Sequence, residues 1–172
     1  MPSCYVRIDE IIERWKQNLN STQWNILRDQ DDLSSLLYIF GWFHDSCIRE
    51  MHMWTDHYVN SDLSMSLSPE LDHNVRLLIQ RQANNPLAIE LLFNQVTQIY
   101  IKPSPEDYDS LINEGTLLYR DGIFYWATDS NWDPDSNSLF TSVNWISSKQ
   151  LSWREVNEWT GNDLRYGPMK DL

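Results

Sequence analysis

The chain reads as one α+β domain over residues 1–172, a mainly antiparallel β-sheet with two N-terminal helices covering one face. Three observations predict this. Apolar residues before position 41 recur at helical spacing, and after it many alternate every second residue. The strand candidates are joined by turn-length connections, which favours antiparallel neighbours. Asp121-Gly122 sits between two β-rich runs, a strong local hairpin signal. No repeat, linker or low-complexity block divides the chain, and its length supports a core without disulfide or metal staples.

The first helix is expected over 7–19, where Ile8, Ile11, Ile12, Trp15 and Leu19 share one face and 18–22 end it with polar turn formers. The second is expected from about Asp31 to Phe40. Asp29, Asp31 and Asp32 are capping candidates, Leu33, Leu36, Leu37 and Phe40 form the stripe, and Gly41 is the stop. A strand of mixed faces follows over 47–54. Leu63, Met65 and Leu67 alternate with serines and predict a one-sided strand. Residues 75–80 and 88–101 read as strands, the second with a bend near Asn94-Gln95 and bounded by Pro86 and Pro103. Residues 104–115 read as a short helix or ordered loop, because Ser104-Pro105-Glu106-Asp107 is a helix-start pattern. The hairpin covers 116–127. A polar loop spans 129–142, and two last strands, 143–147 and 151–156, are joined by Ser148-Lys149-Gln150. The tail from Gly161 to Leu172 reads as irregular.

Net charge is -12, from 25 acidic and 13 basic residues. Such a chain lacks the positive field that nucleic acid and anionic membrane surfaces require, so neither is an expected partner. A basic protein partner would be steered towards it. No apolar run approaches the roughly 20 residues of a membrane span, and the N-terminus lacks signal-peptide features. The expected location is cytoplasmic, with Cys4 and Cys47 as reduced thiols. Five of the nine tryptophans, from Trp126 to Trp159, lie in the last third, with core packing as the default use.

Residues 40–48 carry the densest candidate chemistry. Three aromatics surround Gly41, followed by His44-Asp45 and Cys47. A Cys-His hydrolase needs a thiolate beside an imidazole, but on a strand His44 and Cys47 lie on opposite faces. The structural alternative makes Asp45 a turn cap, has His44 bonded to local backbone, and places Cys47 in the core. His44, His52, His57 and His73 show no zinc spacing, even with Asp45, Asp56 or Asp72. The calcium-like start at Asp133 has Ser138 where glycine is needed and Asn144 where the bidentate glutamate is needed. No phosphate-cradling glycine loop or G-x-S-x-G elbow occurs. No metal or other cofactor is expected.

The helix ending in Phe40-Gly41, then Phe43-His44-Asp45 leading into a strand, resembles small bacterial immunity proteins of polymorphic toxin systems, such as the Imm50-like group. The run Ala88-Ile89-Glu90-Leu91-Leu92-Phe93 resembles their sheet strands. Trp42 and Cys47 stand where that pattern has proline and an acid. The resemblance implies a non-enzymatic α+β protein that binds a toxin domain and blocks it. The leading expectation is therefore a cytosolic bacterial protein-binding domain that occludes its partner through an acidic, aromatic-bearing surface. Its expected contacts are Trp132, Asp133 and Asp135 in the polar loop. The alternatives are a small hydrolase centred on His44 and Asp45, and a ligand- or glycan-binding module using exposed indoles.

Overall fold

The computed structural model describes residues 23–136 and 142–167. The helix expected over 7–19 lies outside the described residues, so the pair of N-terminal helices is represented by one. This is α1, Gln30–Ile39. The Asp29 side chain accepts the Asp32 N–H at 3.0 Å and caps it, with Asp31 and Asp32 in the first turn. Leu33, Leu36 and the C-capping Phe40 are buried, so the predicted stripe faces the sheet. Among the described residues no helix is long and apolar enough to cross a membrane.

Nine strands accompany α1 among the described residues: β1 (Asn25–Leu27), β2 (Ser46–Trp54), β3 (Tyr58–Val59), β4 (Met65–Ser66), β5 (Asn74–Arg81), β6 (Ala88–Tyr100), β7 (Thr116–Arg120), β8 (Ile123–Ala127) and β9 (Trp145–Glu155). The main sheet runs β2-β5-β6-β9-β8-β7, all antiparallel. β6 and β9 form a long spine. Beyond β9, its N-terminal half pairs with β8 and its C-terminal half with β1.

Cross-strand rows explain the core. Val75, Phe93, Leu151 and Leu27 align across β5, β6, β9 and β1. Leu77, Leu91 and Trp153 form the next row, and Ile99, Ile146, Trp126 and Leu117 a third. Nearly all are fully buried and belong to one cluster with Leu33, Leu36, Phe40 and Phe43. Each buried side chain of this size contributes roughly 1.5–3 kcal/mol over an exposed one. The bend foreseen in β6 is real. Gln95 has φ 52, and the register shifts between Val96 and Gln98.

Two expectations change. The two final strands are one, because residues 148–150 stay paired with β6 and do not turn. The one-sided strand at 63–67 shrinks to the two residues of β4, with Leu63, Met65 and Leu67 all exposed. Residues 104–115 take the second of the two forms expected of them, an ordered loop, and touch the sheet through a Ser46–Ile112 bridge. The described tail to Gly167 is irregular, as expected, yet it is docked on the sheet face opposite the main core.

Candidate functional site

Four regions carry the side chains of interest. The first is the turn after α1. Gly41, Trp42 and Phe43 all have positive φ, at 57, 53 and 61. A non-glycine residue held there costs about 1–2 kcal/mol. The turn buries Phe43 edge-on to Phe40 at 5.2 Å and turns Trp42 outward, 44% exposed and edge-on to Tyr38. His44 Nδ1 lies 3.0 Å from Asp45 Oδ2, with His44 exposed and Asp45 half-buried. Cys47 aligns with Gln80 on β5 and is half-buried. Among the described residues, no hydrogen bond joins Cys47 to His44 or Asp45.

The second region is the 129–136 loop. Trp132 is 7% exposed and packs between Tyr125 and Trp145, so its ring is unavailable as a surface contact. This corrects the reading of Trp132 as an exposed anchor: the surrounding residues are polar, but the indole fills a small core of its own with Ala127 and Val143. Asp133 and Asp135 do lie at the surface, both paired with Arg120. Hydrogen bonding from Arg120 holds the Asp133 carboxyl below the usual carboxylate range.

The third is the β3–β4 hairpin between β2 and β5. Tyr58 and Val59 are each 60% exposed, Leu63 83%, Met65 66% and Leu67 62%. Its turn is ordered by Leu63 N–H donating to the Asn60 carbonyl at 3.0 Å, and by Ser64, whose N–H and hydroxyl both donate to Asp62. Its base is pinned by Asp72, which is 5% exposed between His57 Nε2 at 3.0 Å and His73 Nδ1 at 3.2 Å. The Ser68 N–H donates to His57 Nδ1, which places the proton of a neutral ring on Nε2, while Asp72 Oδ2 itself is buried without a hydrogen-bond partner.

The fourth lies on the sheet face opposite the main core. Glu50, Leu78, Glu90 and Arg154 form one row across four strands. Glu90 is 0% exposed. Arg154 Nε donates to it at 2.6 Å and Arg165 Nε at 2.7 Å, with Arg76 Nε at 3.8 Å. Burial alone would push the Glu90 carboxyl up, but these two hydrogen bonds outweigh it and hold the group below its ordinary range. The guanidinium groups also lie over rings: Arg154 over Trp24, Arg165 over Trp159 and Arg76 over Tyr166. The Tyr166 hydroxyl is buried without a hydrogen-bond partner, and burial followed by the nearby Glu90 charge pushes it up.

Separately, a cleft of about 400 Å³ opens between 101–112 and 142–144, with Ile48, Ile101 and Ile112 among its lining and Lys102 and Asp129 as its charged groups beside Asp109. Among the described residues, no group of three or more His, Cys, Asp or Glu side chains is arranged to hold a metal ion. Comparison with protein-family models, with curated proteins and with solved structures finds no match for this chain.

Sequence reading missed the hairpin and the Glu90 cluster. The hairpin had a signal: residues 55–73 hold several large apolar residues, the acids Asp56, Asp62, Glu70 and Asp72, and no lysine or arginine. The cluster had none, since its members come from β2, β5, β6, β9 and the tail.

Proposed function

We propose that the protein works by binding another protein, and that the β3–β4 hairpin is the projecting element that enters the partner. The observation that carries this reading is the exposure of five large apolar side chains, Tyr58, Val59, Leu63, Met65 and Leu67, within ten residues of ordered chain. Isolated exposed apolar residues are ordinary, but a dense exposed group marks a contact surface. Met51 and Met53, on the neighbouring edge strand β2, are also exposed and extend the apolar character. Acids accompany the hairpin and no lysine or arginine does, so the fitting partner offers an apolar recess with a basic rim. An inhibitor that blocks a toxin domain by occlusion, as the resemblance implies, has these requirements. Asp133 and Asp135 lie in a separate loop and are held by Arg120, with Trp132 serving the small core beneath them.

The test uses tagged wild-type protein and a Leu63→Ser/Met65→Ser variant to capture partners from a lysate of the source cells at low and high salt. One basic partner held in near-equal amount by the wild type, lost from the variant and weakened by salt supports the reading. A partner held equally by both proteins places the contact elsewhere.

Trp42 favours a second reading, a stacking platform for a small ligand such as a sugar. The strained turn presents its indole beside the half-exposed Tyr38. Titration of a sugar panel against tryptophan fluorescence tests it, and an unchanged signal ends it.

A further inference from the structure

We infer that the sheet face opposite the helix is a receptor groove for an arginine–aromatic peptide segment, filled in cis by residues 158–167 acting as a displaceable strap. The inference is independent of the hairpin. The strap is held as a bound peptide is held. Among the described residues, no main-chain to main-chain hydrogen bond ties 160–167 to the sheet. Side chains of the sheet read its main chain instead. The Glu50 carboxylate accepts the Arg165 N–H at 2.6 Å and the Tyr166 N–H at 3.1 Å. Gln80 Nε2 donates to the carbonyls of Trp159 at 2.8 Å and Gly161 at 3.2 Å, and Arg49 donates to that of Asn162.

Specificity comes from one row of the sheet. Glu50 and Glu90 stand on β2 and β6 with Leu78 of β5 between them. Arg165 spans that gap, its main-chain N–H on Glu50 and its Nε on Glu90. Tyr166 then lies under Arg76 at 4.4 Å and beside His52 at 5.8 Å. Glu90 does not depend on Arg165 for charge balance, because Arg154 donates to it from the sheet itself and Arg76 stands nearby. The groove therefore persists as a compensated site when the strap leaves, and a cationic Arg followed by an aromatic residue on another chain satisfies the same contacts.

The test titrates a fluorescein-labelled synthetic peptide of residues 157–167 into the full-length chain, read by anisotropy. Arg165→Ala or Tyr166→Ala in the chain loosens the strap and is expected to raise peptide affinity roughly tenfold or more, while Arg165→Ala in the peptide abolishes binding. Glu90→Gln in an Arg165→Ala chain is expected to weaken the peptide again by a similar factor. Circular dichroism checks that each chain remains folded. Peptide affinity unchanged by loosening the strap overturns the inference. So does a peptide that binds equally with alanine at Arg165. So does loss of the cooperative fold in both strap variants, which would make 158–167 part of the core.

Discussion

The β3–β4 hairpin and the Glu90 cluster invert each other. The hairpin puts leucine, methionine, valine and tyrosine into solvent, while the cluster puts a glutamate at 0% exposure among arginines. Both depart from the common pattern of apolar inside and charged outside. Their energetics differ. Exposed apolar side chains contribute little to folding and can be altered without structural cost. A buried ion cluster fails when its central carboxylate is removed, because the arginines around it are then left unpaired. The pairing teaches that the first region can be altered without touching the fold, whereas the second must keep its central carboxylate whichever segment lies over it.

The largest expected effect breaks the cluster. Glu90→Ala leaves Arg154 and Arg165 facing each other without a carboxylate, and we expect a loss of about 3–5 kcal/mol by urea denaturation. Acid does the same gradually. The Arg154 and Arg165 hydrogen bonds hold the Glu90 carboxyl below its ordinary range in the folded chain, so its contribution is present above the unfolded pKa and lost as pH falls through the folded value. Stability should drop on acidification below about pH 4.5, and that drop should be shallower in Glu90→Gln, measured by thermal melts across pH 2–6. The next effect concerns the turn. Gly41→Ala puts a Cβ at φ 57 and 2.8 Å from Arg81 Nη1, with an expected loss of about 1–2 kcal/mol in the same denaturation assay. The smallest completes the contrast. Leu63→Ser and Met65→Ser should each change stability by no more than about 0.5 kcal/mol while removing partner capture. A large stability loss there would show that the hairpin is packed and erase the contrast.

Local signals in the sequence were reliable where the physics was local. Asp29 and the leucines at helical spacing located α1, because capping and burial act within one element. Asp121 and Gly122 located the β7–β8 turn, where both adopt positive φ, 52 and 78. Readings failed where long-range pairing decided. Ser148-Lys149-Gln150 has turn-like composition, yet β6 continues alongside it and keeps β9 a single strand. The serine alternation at 63–67 set a period of two but could not say whether a core lay on either side. Trp132 looked exposed among polar neighbours, and only Tyr125 and Trp145 make it internal. The candidate site was the least legible, since Glu50, Glu90 and Arg165 meet across separations of 75 and 115 residues.

The placement of β9 has a consequence for how the chain is born. It is the last strand of the main sheet in sequence, yet it lies between β6 on one side and β8 and β1 on the other. As the chain emerges during synthesis, β2, β5 and β6 can assemble as a meander, but β6 keeps an open edge until residues 145–155 appear. β1 waits longest, since Asn25 meets Trp153 across 128 residues. Closure of the sheet is thus a late, non-local event, the kind that slows folding and leaves strand edges available to chaperones in the interval.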